Sequence, residues 1–268
     1  MTDGRLITSL TNETVKAVRA LHMRKEREAT GLFLAEGLKF IGEALDQGRT
    51  PKTLLVGMEA RPHPLLDRAK AETWQAGGEV VTVTHPILEK ISRRENPQTV
   101  LGVFEQAFTP LAGIRPEAAP CWIALEQVRD PGNLGTIIRT VDSAGCGGVI
   151  LIGDCVDPFS VEAVRATMGS VFAVAIARAT TADFLAWRET WPGSVVGTRL
   201  DATSGYREAA YAPPTLILMG NEQAGLTDAL AAACDVNVKI PMRGRADSLN
   251  LAVATGVMAY AVTDALAR

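Results

Sequence analysis

The stretch "DPGNLGTIIRTVDSAG", Asp130 to Gly145, sets an Asp-Pro-Gly-Asn turn ahead of an apolar helix and a glycine break behind it. Leu134, Ile137, Ile138 and Val141 recur at i, i+3, i+4 and i+7, which is one apolar face of a helix, and Asn133 is its expected N-cap. Gly145 reads as the residue that ends it. Arg139 falls off the apolar face, and on local grounds alone it is a solvated charge paired with Asp142. On either side lie "CWIALE" and "GVILIG", continuous apolar runs rather than alternating ones. Such strands are buried on both faces, so strand, helix, strand predicts a parallel sheet covered by helices.

The same pattern continues toward the C-terminus in "VFAVAIA", "SVVGTRL", "TLILMG" and "VNVKIP", with helices expected to begin at Asn133, Ser160, Thr181, Glu222 and Ser248. Upstream, "NETVKAVRALHMRKEREATG" and "LKFIGEALDQG" read as helices, while "LFLAEG", "PKTLLVG" and "EVVTVT" read as strands, a small α/β unit. Between the halves, "QAFTPLAGIRPEAAP" carries Pro110, Pro116 and Pro120 and reads as a linker, because repeated proline forbids regular helix. The expected division is therefore a small α/β domain over 1–105, a linker over 106–120 and a parallel-sheet α/β domain over 121–268.

Composition bounds the chemistry. The chain has 268 residues, 47% of them hydrophobic and 21% charged, with a formal charge of -3, an ordinary globular balance with no global attraction to polyanions. A polyanion would need a local basic surface, and Lys16, Arg19, Arg24, Lys25 and Arg27 against Glu26 alone supply one candidate, equally readable as a solvated helix face. Cys121, Cys146, Cys155 and Cys234 form no Cys-x-x-Cys pair and lie far in sequence from His22, His63 and His85, so neither a metal site nor a disulfide framework is expected. No secretory signal precedes Lys16, and "LNLAVATGVMAYAVTDALA" is too short before Asp264 to span a bilayer comfortably, so a reducing, cytoplasmic setting is expected and no membrane partner.

Glycine clusters raise dinucleotide binding, but "GCGG" follows a helix instead of opening one, and Ile150 stands where a third glycine would fall. Three other stretches share one design: the opening one, "LILMGNEQAGL" from Leu216 to Leu226, and "IPMRGRADSLNLAVATG" from Ile240 to Gly256. In each of the last two, a buried strand gives way to a glycine or proline turn and then to polar groups at an expected helix start. Polar groups at the carboxyl ends of parallel strands are where α/β proteins bind ligands.

Taken in order, Asn133-x-Gly135 with Arg139, then Gly220-Asn221-Glu222 with Gly225, then Ile240-Pro241 followed by Ser248-Leu249-Asn250, these residues resemble the three motifs of the SpoU, or TrmH-type, branch of the SPOUT methyltransferases. That family transfers methyl from S-adenosylmethionine to a ribose 2′-hydroxyl of RNA. The resemblance covers the chain from about Cys121 onward, and "FLAEGLKFIGEAL" extends it more weakly to the substrate-binding domain that many members carry.

The resemblance implies a C-terminal trefoil knot that binds S-adenosylmethionine, a homodimer formed through the knotted region, and ribosomal rather than transfer RNA as the favoured substrate. It implies catalytic roles for Arg139, Asn133, Glu222, Ser248 and Asn250, with Arg139 acting on the 2′-hydroxyl either as base or as electrostatic stabiliser. It assigns cofactor contacts to Thr198, Leu218, Gly220, Ile240, Met242 and Leu249. RNA contacts are expected from Lys16, Arg19, Arg24, Lys25 and Arg27, and from Arg129, Arg165, Arg243 and Arg245 beside the motif loops. The alternative reading is a non-catalytic RNA-binding or ribosome-assembly protein on the same fold.

Overall fold

The computed structural model describes residues 4–267. Their contacts divide them into two units, one running to Gln106 and taking in Asp157–Ala173, the other formed by Ala107–Val156 and the chain from Val174.

The first unit is a five-stranded sheet in the order β1 (Arg5–Ile7), β4 (Glu79–Val83), β3 (Thr53–Gly57), β5 (Val100–Glu105), β2 (Leu32–Glu36). β1, β4 and β3 run parallel, whereas β5 is antiparallel to β3 and β2. Around it lie α1 (Glu13–Ala20), α2 (Arg24–Thr30), α3 (Leu38–Asp46), α4 (Pro64–Gln75) and α5 (His85–Ser92). Val15 and Val18 of α1 and Ile87, Leu88 and Ile91 of α5 close one core with Val81 and Leu101. The single helix expected over residues 12–31 is in fact two, α1 and α2. The break falls where the Arg27 guanidinium, itself buried, takes the Leu21 carbonyl at 2.7 Å and so removes a helical acceptor.

The second unit is an all-parallel sheet in the order β10 (Ser204–Gly205), β12 (Val236–Lys239), β9 (Val195–Thr198), β11 (Thr215–Met219), β6 (Cys121–Glu126), β7 (Gly148–Ile152), β8 (Ala175–Ala179). This is the architecture predicted from the continuous apolar strands: β6, β7 and β11 are buried throughout. α6 (Pro131–Ser143), α8 (Thr181–Arg188), α9 (Asp228–Ala232) and α10 (Leu251–Leu266) flank it. "VFAVAIA" is not one strand; Ser170–Phe172 forms a short 3-10 turn and β8 begins only at Ala175.

Two segments depart from the expected division. The proline-bearing stretch over 106–120 is not a free linker, because Ile114 is buried beneath it, Thr109 N donates to Ile176 O at 2.8 Å, and Trp122 Nε1 donates to Pro116 O at 3.1 Å. Its apolar side chains give it a packed seat on the second unit. Residues 157–173, placed by sequence inside the second domain, belong to the first unit. They contain α7 (Val161–Thr167), whose Val161 joins the first unit's core, and two rings that meet Phe33: Phe159 at 4.8 Å and Phe172 at 5.8 Å between centroids.

A candidate active site in the second unit

α6 does not begin at Asn133. Asp130 is the cap, its carboxylate accepting the Asn133 N–H at 2.6 Å, and Pro131 follows with its fixed backbone angle. Both residues are good caps, and the one before the proline wins because the ring presets the first helical residue. The correction releases the Asn133 side chain from capping. It donates to Glu222 Oε1 at 3.4 Å and accepts from Asn250 Nδ2 at 2.9 Å, so the three motif segments meet through one asparagine.

The second segment is a closed loop rather than the expected helix start. After β11, Asn221 N donates to Gly225 O at 3.1 Å and Gly225 N donates back to Asn221 O at 2.9 Å. Asn221 Oδ1 accepts from Gln223 N and Ala224 N at 2.9 and 3.2 Å, but the chain turns back through the Asn221–Gly225 pair instead of continuing as a helix, and the next helix waits until Asp228. Gly220 answers to this loop's own closure. A Cβ there would lie 2.1 Å from both Gly225 C and Leu226 N, so the glycine is needed before any ligand arrives.

The loop is braced from below by residues that no motif marks. Glu126 ends β6 and is 2% exposed; its Oε2 accepts from Thr227 N at 2.8 Å. Gln127, held at φ 47 in the left-handed region, offers its carbonyl to Asn221 Nδ2 at 2.8 Å. Such a backbone costs about 1 kcal/mol or more and persists where its surroundings over-determine it. The signal in the sequence is a lone carboxylate closing the apolar run "CWIALE".

In the third segment Asn250, not Ser248, caps the helix. Its Oδ1 accepts from Ala252 N and Val253 N at 2.9 and 3.3 Å, and α10 starts at Leu251. Ser248 lies exposed on the preceding loop. Arg139 is exposed on α6, and no ion pair joins it to Asp142 or to another carboxylate among the described residues.

Beside the three segments opens a cleft of about 400 Å³. Thr198, Gly220, Ile240, Met242 and Leu249 line it as expected, together with Leu200, Met219, Leu226, Glu222 and Ser248. Leu218 does not. Its side chain is fully buried in the sheet, and its carbonyl accepts the Thr198 hydroxyl at 3.0 Å. Arg199 stiffens one wall by bridging Asp201 at 2.8 Å and Asp228 at 3.1 Å, and this guanidinium holds the Asp201 carboxyl below its usual range.

The basic residues divide sharply. Arg27 is no surface contact: it is 3% exposed and its Nε donates to Asp157 at 2.7 Å. Arg165 is spent likewise, gripping Glu36 with two nitrogens at 3.0 and 2.7 Å and reaching Ser92 O at 2.9 Å. Their sequence neighbours hide this, since each partner lies about 130 positions away. Lys16, Arg24 and Arg129 are exposed but paired with Glu13, Glu28 and Asp154. Lys25, Arg243 and Arg245 are exposed and Arg19 half-buried, with no ion pair among the described residues.

Comparison with known proteins gives these features a context. Residues 120–260 match the SpoU rRNA Methylase family, and residues 12–102 match the MRM3-like substrate binding domain. The 23S rRNA (guanosine(2553)-2′-O)-methyltransferase RlmP of Bacillus subtilis is 32% identical over 95% of this chain and 97% of its own length. A 23S rRNA (uridine(2479)-2′-O)-methyltransferase of Streptomyces viridochromogenes is 29% identical over 96% of this chain and 91% of its own. Among solved structures, an AdoMet-bound rRNA methyltransferase from Sinorhizobium meliloti superposes with a TM-score of 0.92 at 48% identity, covering 99% of both chains. With relatives aligned almost end to end and the family's own region spanning the cleft and all three segments around it, the chain belongs to the SpoU rRNA Methylase family.

Proposed function

We propose that this protein methylates a ribose 2′-hydroxyl of ribosomal RNA, with S-adenosylmethionine as donor. The observation that carries the reading is the bridge from Glu222, which lines the cleft, through Asn133 in the first turn of α6 to Asn250 at the start of α10, three polar groups from three segments fixed around one spot with exposed Arg139 on α6. The named relatives methylate 23S rRNA, and an AdoMet-bound neighbour shares nearly the whole chain.

The cleft suits the donor. Its volume of about 400 Å³ lies in the range of small-molecule sites, its walls at Leu200, Met219, Ile240, Met242 and Leu249 are apolar, and Thr198, Glu222 and Ser248 place polar groups among them. Thr198, Gly220, Ile240, Met242 and Leu249 would hold the ligand, and Leu218 acts at one remove, its carbonyl fixing the Thr198 hydroxyl at 3.0 Å. When bound, the donor supplies a sulfonium methyl as electrophile.

The remaining work belongs to the chain. Asn133, pinned at both ends of its amide, keeps Glu222 and Asn250 in register, so that the acceptor oxygen meets a fixed polar surface and the reaction is assisted mainly by positioning. Arg139 is exposed on α6, and a guanidinium offers donors only, with no acceptor. It therefore grips the nucleotide and stabilises negative charge growing on the 2′-oxygen instead of acting as base. Ser248, exposed at the cleft's rim, completes the third loop.

The rest of the reading follows the family. The second unit carries the trefoil knot, supported by its all-parallel order and by its SpoU relatives. Two copies pair through α10, whose Val253 and Tyr260 are exposed apolar side chains. The first unit is the RNA substrate-binding domain, and the protein works in the cytoplasm, where ribosomal RNA lies; no described helix is long and apolar enough to cross a membrane. The test is transfer of labelled methyl from S-adenosylmethionine into ribosomal RNA from cells lacking the protein, followed by nucleoside mass spectrometry. A single new 2′-O-methylnucleoside is expected. Donor binding with no transfer to RNA would favour the non-catalytic assembly role.

A further inference from the structure

A second concavity, about 870 Å³, lies within the first unit between α1 and the end of α5. Lys16 and Arg19 of α1 line it with His22, Lys90, Arg93 and Arg94. Arg93 closes α5 in the left-handed region at φ 57, and both Arg93 and Arg94 are exposed. Glu89 and Glu95 are the opposing charges on the same surface; Glu89 faces His85 at 3.5 Å, and Lys16 is paired with Glu13 at 2.8 Å. Arg19, Lys90, Arg93 and Arg94 have no ion pair among the described residues.

His22 gives this basic surface a different chemistry at one point. Its Nε2 lies 2.6 Å from the Ile91 carbonyl oxygen, and a carbonyl only accepts, so that nitrogen carries the proton. Burial lowers the pKa of the ring below 6.5, and Arg93, Arg165 and Arg27 push the same way, against the backbone bond to Ile91. The neutral ring keeps Nδ1 as an acceptor. The surrounding lysine and arginine side chains can only donate.

We propose that this groove holds a single-stranded stretch of the RNA substrate, with its phosphates on Arg19, Lys90, Arg93 and Arg94 and one nucleotide's amino or 2′-hydroxyl group donating to His22. The inference rests on the reading of the protein as an RNA methyltransferase. It keeps Arg19 of the basic stretch read in the sequence and extends it to the end of α5, while Arg27, buried in an ion pair, and Arg24, paired with Glu28, drop out. Donor groups on bases are available in unpaired segments, which is where RNA is read by hydrogen bonding.

The experiment uses the full chain and unmodified, transcribed 23S ribosomal RNA, measuring affinity across salt concentrations together with methyl transfer. Arg93→Gly, which suits the left-handed position, is combined with Arg94→Ala; Arg61→Ala, at an exposed residue outside the groove, is the control. The double variant is expected to lose about tenfold or more in affinity and to flatten the slope of log affinity against log salt by about 1 to 2. Its KM for RNA should rise while kcat at saturating RNA and affinity for S-adenosylmethionine stay at wild-type values. His22→Phe should weaken binding with the salt slope unchanged. Wild-type affinity and slope in the double variant, with the wild-type protein methylating the RNA, overturn the groove while leaving the function standing. A wild-type protein that binds S-adenosylmethionine but neither binds nor methylates this RNA overturns both.

Discussion

At the scale of single residues, Arg139 and Asn133 take different parts in the proposed methyl transfer. Arg139 pairs with no carboxylate among the described residues, so its donors are available to substrate, and truncating this exposed side chain leaves the packing intact. Arg139→Ala is expected to lower kcat by about 10²–10³-fold with donor affinity unchanged. Arg139→Lys should recover little, because a point charge cannot replace the planar fork; single-turnover methyl transfer measures both. The histidines make a second prediction. Burial lowers the His22 pKa, whereas the hydrogen bond from His85 to Glu59 raises that of His85. A ring-proton NMR titration should therefore find His22 changing below pH 6.5 and His85 above it. The signs for stability are opposite. The unfolded chain outbinds the folded one for protons at His22, so its term weakens stability as pH falls below 6.5, while the His85 term is complete below 6.5 and fades as pH rises through its folded value.

At the scale of elements, the cofactor-side loop from Gly220 to Thr227 is set by the strand end beneath it. Glu126 holds Thr227 N and Gln127 holds Asn221, so both ends of the loop are tied to the exit of β6. Glu126→Gln keeps the shape but gives up a charge-assisted bond. It is expected to raise the Kd for S-adenosylmethionine by about tenfold while kcat at saturation changes less than twofold, by calorimetry and steady-state kinetics. Equal effects on binding and kcat, or none, would remove Glu126 from this role. The elements also show what a sequence discloses. Asn133, Glu222 and Asn250 were recognisable because each sits at a strand-to-helix turn, and the predicted parallel sheet brings such turns to one edge. Asp130 against Asn133, and Asn250 against Ser248, were not resolved, because neighbouring residues with equal capping chemistry are separated only by backbone angles that tertiary packing selects. Glu126 and Thr227, 101 positions apart, have no local pattern linking them.

At the scale of the whole molecule, the first unit is sealed by a buried ion pair. Arg27 and Asp157 are 3% and 5% exposed in their side chains and meet at 2.7 Å. Arg27→Ala would take the guanidinium away from the buried Asp157, which keeps the Phe159 N–H at 2.9 Å, a loss of about 3–5 kcal/mol, measurable as a lower denaturant midpoint. Replacing both residues, as Arg27→Met with Asp157→Leu, should return most of that stability, since well-packed apolar groups can match a buried pair. If the single and double variants unfold alike, the pair contributes nothing beyond its volume.

The origin of Asp157 also governs when the first unit can form during synthesis. Its sheet is complete in sequence by Glu105, yet α7, Phe159, Phe172 and the partner of Arg27 emerge only after β6, α6 and β7 have been made. At about 5–20 residues per second, translation of that interval takes seconds. For that time the nascent sheet waits without the carboxylate that meets Arg27, and with Phe33 packed on Phe104 but lacking Phe159 and Phe172. Order of translation and order of completion are thus decoupled in this protein, and a chain truncated before Asp157 would give a sheet lacking both its ionic lock and its aromatic cover.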